Sequence, residues 1–203
     1  VVTLKILSES FTWAIIVLVL GVLTMFVGAL FALLSINLKE TLAYSSMSQI
    51  GFIIIGVAMT SVLGEEGAIA SYGAVLHMIN HTLIKLVLFT SAGIVYRNTH
   101  SLNLNDVQGF GKDKPFLKVC FGIAACGIMG IPGFNGYVSK TLLHEGIVER
   151  IHLVSETALP FRLVEVIFLV SGGFTVAYMT KLFVCLFVKE PNKPMHENKP
   201  YVK

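Results

Sequence analysis

Five long apolar stretches, at roughly residues 11 to 36, 42 to 63, 68 to 96, 116 to 147 and 161 to 188, constrain this 203-residue chain more than any other feature. Each reaches the ~20 residues that a helix needs to cross a bilayer. The composition agrees, with 55% hydrophobic residues, 13% charged residues and a mean hydropathy of +0.78. An ordinary soluble domain carries about 25% charged residues. The expected fold is an all-α integral membrane protein, a bundle of five transmembrane helices forming a single membrane domain over residues 1–203.

A net charge of +3 is too small to argue for nucleic acid. Its distribution is more useful. Alternating the spans puts Lys39, Arg97, Lys112, Lys114, Lys118, Lys189, Lys193, Lys199 and Lys203 on one side and only Lys5, Arg150 and Arg162 on the other. The positive-inside rule makes the richer side cytoplasmic, with the N-terminus outside, where Glu9, Glu65, Glu66, Glu149 and Glu156 also gather. Trp13 then lies at an interface. The first stretch is too long for a signal-peptide core and lacks a small-residue cleavage site. The chain opens at Val1 just before a span, which reads as a fragment or a processed subunit. Cys120, Cys126 and Cys185 are odd in number, lie in apolar stretches and have no CxxC spacing, so they read as buried thiols.

Between the third and fourth spans, residues 98–114 form a polar, turn-rich loop placed on the cytoplasmic side, and residues 189–203 read as a loose basic tail. Gly109-Phe-Gly111 in that loop lacks the strand and helix spacing of a nucleotide-binding turn. The fourth span is anomalous. As one straight helix, Phe116 to Glu145 would measure about 45 Å, against a hydrocarbon core of about 30 Å. Pro132 removes a backbone donor, and Gly130, Gly133 and Gly136 weaken the helix around it, so a break is expected near residues 131–136. Irregular backbone at membrane depth survives only where protein or a wet cavity surrounds it, and the half-helix ends supply oriented dipoles for ions.

Ionisable residues inside such spans are expensive, about 2.5 to 3.5 kcal/mol each at mid-membrane, and they mark function. His77, His81 and Lys85 recur every four residues in the third span, and Lys140 follows the expected break. On a helix the first three step round by about 40° each over about 12 Å, making one polar stripe. Histidine suits proton transfer because its ordinary pKa of ~6.5 lies near working pH and its two nitrogens can act on opposite sides. Lysine suits it because desolvation and a moving charge nearby can tip it between charged and neutral. Rival readings are weaker. Position 78 is Met, so the His-Glu-x-x-His zinc pattern fails, and haem lacks a second embedded histidine apart from His144 near the outer surface. A structural role, with the histidines satisfied by backbone carbonyls, stays open. No metal or cofactor site is expected. His144 and Glu145 follow Lys140 by about one turn and are candidates for an outer exit. Lys39 and Lys181, near span ends, read from position alone as lysines snorkelling to the interface.

Three motifs carry a resemblance to a known family. Leu38-Lys-Glu-Thr-Leu-Ala-Tyr-Ser-Ser-Met-Ser-Gln-Ile-Gly51, His77-Met-Ile-Asn-His-Thr-Leu-Ile-Lys-Leu-Val-Leu-Phe89 and Gly130-Ile-Pro-Gly-Phe-Asn-Gly-Tyr-Val-Ser-Lys140 resemble, in order and spacing, the antiporter-like subunits shared by respiratory complex I, Mrp-type sodium/proton antiporters and membrane-bound hydrogenases. The last motif is most similar to the hydrogenase and Mrp branches. The resemblance implies two inverted five-helix repeats, each with a broken helix, of which this chain looks like the second. It moves Lys39 from the interface into a central polar axis, makes His77, His81 and Lys85 a relay, and matches Lys140 to a broken-helix position that is Lys or Glu in the family. The first repeat, with its glutamate and lysine pair, is not in this sequence.

The expectation is therefore the second half of an ion-translocating subunit, passing a proton from Lys39 through His77, His81 and Lys85 to Lys140. It would sit among other membrane subunits in an energy-transducing membrane. Redox chemistry would belong to the partners, and neither a cofactor nor nucleic acid is expected here. Sodium/proton exchange through the same residues and a non-conducting scaffold remain the alternatives.

Overall fold

Helix dominates the computed structural model, which describes residues 11–154 and 158–191. Lys5, Glu9, Glu156, Lys193, Lys199, Lys203 and the tail beyond residue 191 lie outside the described residues. Among the described residues six α-helices follow in order: α1 Phe11–Leu34, α2 Leu38–Leu63, α3 Ala68–Thr99, α4 Pro115–Met129, α5 Asn135–Leu153 and α6 Leu159–Phe187. Among the described residues there is no strand, only an isolated bridge between Asn37 and Asn103. The long apolar run Leu38–Thr99 is a hairpin of two spans, turned by one 3-10 segment at Gly64–Gly67. At 15 residues, α4 is about 22 Å long and cannot cross alone. It and α5 are the two halves of the discontinuous fourth span, and the fold is an all-α membrane bundle.

Helix α2 begins earlier than the apolar count suggests. Asn37 caps it by accepting the backbone N–H groups of Lys39 and Glu40 at 3.0 and 3.3 Å, so both charged residues sit in its first turn. Helix α1 lies along α2, α3 packs on α2, α4 and α5, and α6 closes the bundle against α1, α4 and α5.

Two apolar cores fill the bundle. One gathers Leu42, Leu88, Val95, Phe121, Leu182 and their neighbours, and the other Met25, Phe52, Met59, Ala74, Leu143 and Phe168 with theirs. Between them, on four different helices, lie buried Ser45, Ser48, Gln49, His77, Asn80, Ser139, Ser171 and Thr175. This polar layer divides the core.

The connection after α3 is tied to the bundle. Leu104, Val107 and Phe110 bury themselves in the first core, while Gly109 and Gly111 donate their N–H groups to the carbonyls of Cys185 and Leu186 at 2.9 and 2.8 Å. Those carbonyls belong to the last turn of α6 and have no donor within their own helix. The polar, turn-rich run docks as a cap on the end of α6.

Candidate functional site

His77 occupies the crossing point of the polar layer. Its Nδ1 lies 2.9 Å from Ser139 Oγ on α5, and its Nε2 lies 3.1 Å from Gln49 Oε1 on α2. The Gln49 amide reaches on to Thr175 Oγ1 on α6 at 3.4 Å, where the Tyr178 hydroxyl also donates. Two turns along α3, buried Lys85 donates from Nζ to the Leu42 carbonyl at 2.8 Å and to Ser45 Oγ, both on α2. His81 stands between them, half-buried, with Nε2 shielded from solvent and without a hydrogen-bond partner.

His77, not Lys85, is the end of the stripe that touches α5. Ser139, its partner, is the residue before Lys140, and the Phe52 ring faces both His77, at 6.1 Å between ring centroids, and the Lys140 ammonium, at 4.9 Å.

Proline chemistry explains how Lys140 is held. In a continuous helix the carbonyl of Ile128 would accept from the N–H of residue 132, but Pro132 has none. Helix α4 ends instead at Gly130, left-handed at φ 76°, whose N–H turns back to Cys126 and Gly127. The ammonium of half-buried Lys140 then donates to the Ile128 carbonyl at 2.8 Å. A cation at the negative end of a helix dipole is favourable there. Gly133, at φ 92°, completes the turn. Gly136 proves to lie inside α5, where its role is close approach: a Cβ on it would overlap the Gly127 carbonyl of the opposite half-helix. Asn135 and Asn80 lock the junction to α3 through paired 3.0 Å bonds, Asn80 to the Asn135 carbonyl and Asn135 to the Asn80 side chain.

The other expected residues scatter. Lys39 is exposed in the first turn of α2, one turn before the Leu42 carbonyl that holds Lys85, and is not gathered into the buried set. Glu145 is exposed, while His144 pairs through Nε2 with Glu165 of α6 at 3.0 Å, against the Phe168 ring. Sequence reasoning missed Glu165. One carboxylate in the second turn of an apolar span was the available signal. It also missed Gln49, Ser139 and Asn80, polar residues on otherwise apolar helix faces.

A family model described as NADH:quinone oxidoreductase/Mrp antiporter, transmembrane, matches residues 1–164. An NAD(P)H-quinone oxidoreductase chain 4 of Synechococcus elongatus is 29% identical over 182 residues, which is 90% of this chain and 33% of that protein. Formate hydrogenlyase subunit 3 of Escherichia coli is 30% identical over 192 residues, 92% of this chain and 32% of that one. Among solved structures, a chain of the Mrp complex from Dietzia sp. superposes with a TM-score of 0.76 at 25% identity, covering 90% of this chain and 31% of its own. The chain thus spans about a third of the length of these relatives.

Proposed function

The chain belongs to the NADH:quinone oxidoreductase/Mrp antiporter transmembrane family, and from that premise we propose that it is the proton-translocating second repeat of an antiporter-like subunit, working among other membrane subunits of a larger complex. Protons move between Lys39, Lys85, His81, His77 and Lys140, in that spatial order, and leave past the His144–Glu165 pair, with Glu145 on the exposed side of the same turn. The chain forms one membrane domain with its N-terminus outside and its C-terminus cytoplasmic.

The observation that carries this reading is the way Lys85, buried, and Lys140, half-buried, are held. Lys85 and Lys140 both donate to carbonyls or a hydroxyl, and among the described residues neither touches a carboxylate. A buried ion pair resists losing its proton, because neutralising one partner strands the other charge in low dielectric. An ammonium held by neutral dipoles leaves no such charge behind. It is free to alternate between charged and neutral as a passing proton demands.

Replacing His81 or Lys85 with Ala in the complete complex, reconstituted in vesicles, should lower proton translocation about tenfold or more while assembly proceeds. If assembly fails and the residual complexes pump normally, the stripe is structural. Orientation has its own test. Cysteines placed at exposed Glu65 and Asn105, beyond opposite ends of α3, should be labelled from opposite sides, Asn105 from the cytoplasm. Labelling of both from one side overturns the topology.

A further inference from the structure

The hydrogen bonds around His77 have a direction that can be traced atom by atom from α6. Thr175 donates its hydroxyl hydrogen to the Ser171 carbonyl at 3.0 Å, one turn back in its own helix. Its oxygen is then left to accept, and it does so from Tyr178 and from the Gln49 amide nitrogen, each at 3.4 Å. With the Gln49 NH₂ turned toward Thr175, its oxygen faces His77 Nε2 at 3.1 Å. An amide oxygen carries no hydrogen, so Nε2 must supply one whether the ring is neutral or charged. The ring nitrogen whose proton changes is Nδ1. Among the described residues its hydrogen-bond neighbour is Ser139 Oγ at 2.9 Å, and that hydroxyl has a second acceptor, the Gly136 carbonyl, at 3.2 Å.

We propose that Gln49 and Ser139 are positioning residues that make His77 a one-ended proton site. Resting on the translocation reading above, uptake of one translocated proton at Nδ1 turns the neutral imidazole into imidazolium, and loss from the same atom restores it. No other covalent bond changes. In the neutral state the Ser139 hydroxyl donates to Nδ1. In the charged state Nδ1–H donates to Ser139 Oγ, and the hydroxyl hydrogen turns to the Gly136 carbonyl. Gly136 is the second residue of α5 and lies against the Gly127 carbonyl at the end of α4, so the protonation state of His77 is written into the junction of the two half-helices. His77 therefore takes up and releases the relayed proton at one ring nitrogen, Nδ1, instead of across the ring. It stores a proton on the Lys140 side of the layer.

The test is nitrogen NMR of the complete complex in lipid, with the subunit labelled on histidine and the His77 signal assigned by difference against His77→Gln. At a pH where the ring is neutral, the wild type should show the Nε2–H tautomer, and Gln49→Leu should raise the Nδ1–H form to a comparable share. In the same preparation Ser139→Ala should lower proton translocation at least tenfold with assembly intact, and Ser139→Thr, which keeps the hydroxyl, should retain most of it. An Nδ1–H tautomer in the wild type would mean the Gln49 amide donates to the ring, and the proposal would be wrong. Full translocation in Ser139→Ala would remove the hydroxyl from it. A wild-type complex that moves no protons would sink the translocation reading instead, and the tautomer would still decide whether His77 is locked.

Discussion

Two lysines in this molecule hold the carbonyl end of a helix that is not their own, and the contrast between them explains why one is structural and the other is a candidate gate. Lys181 of α6 donates to Leu33, Ser35 and Ala32 at 2.6, 2.7 and 3.4 Å, closing the end of α1. Helix α1 has already run its 24 residues, so that end would exist in any such bundle. Lys140 of α5 donates to Ile128 alone, closing an end that exists only because Pro132 and Gly130 stop α4 after 15 residues. Three carbonyls converge on the first ammonium and one on the second. The first charge is fixed in place, whereas the second has a single neutral acceptor and the face of Phe52 at 4.9 Å.

The comparison breaks most severely if α4 and α5 are forced apart. Gly136→Ala puts a methyl group into the Gly127 carbonyl, a backbone overlap that no side-chain rotation relieves. Overpacking of that kind costs about 3 kcal/mol. Thermal unfolding of the variant in lipid should show the loss, together with lost translocation as Lys140 parts from Ile128. Unchanged stability would mean that the half-helices do not meet as described. A smaller effect is expected at the other lysine. Lys181→Met leaves the α1 carbonyls without their donor, at a cost of about 1 to 3 kcal/mol, with translocation per assembled complex unchanged. Translocation lost in proportion to stability would instead make Lys181 part of the path.

Much of this was legible in the residues because it rests on local rules. Span length, the Pro and Gly break and the fourfold spacing of His77, His81 and Lys85 are properties of one segment at a time, and the architecture follows from them. What escaped notice depends on which helix lies opposite. Lys181 reads as a snorkelling lysine, because the local sequence does not say whether its ammonium reaches water or the end of α1. Gln49, Ser139 and Thr175 are unremarkable singly and become a network only when α2, α5 and α6 converge on His77. The glycines of the loop look like turn residues until the end of α6 supplies the carbonyls they cap. Periodicity likewise gives the spacing along α3 and not the neighbours at each end of the stripe.

The central claim is that Lys140 matters as a group that changes charge and not as the cap of α4. Lys140→Met and Lys140→Glu, compared in the complete complex, test it most directly. Methionine is similar in length and readily buried. The Ile128 carbonyl loses its one donor, but removing a desolvated charge offsets part of that loss, so the net change in stability should be about 1 kcal/mol, smaller than for Lys181→Met, where three carbonyls lose theirs. Translocation should nonetheless be nearly abolished in Lys140→Met and partly kept in Lys140→Glu, which restores a titratable group of opposite sign. Full activity in Lys140→Met, with the complex assembled, would contradict the account, because a helix end closed by any side chain would then suffice.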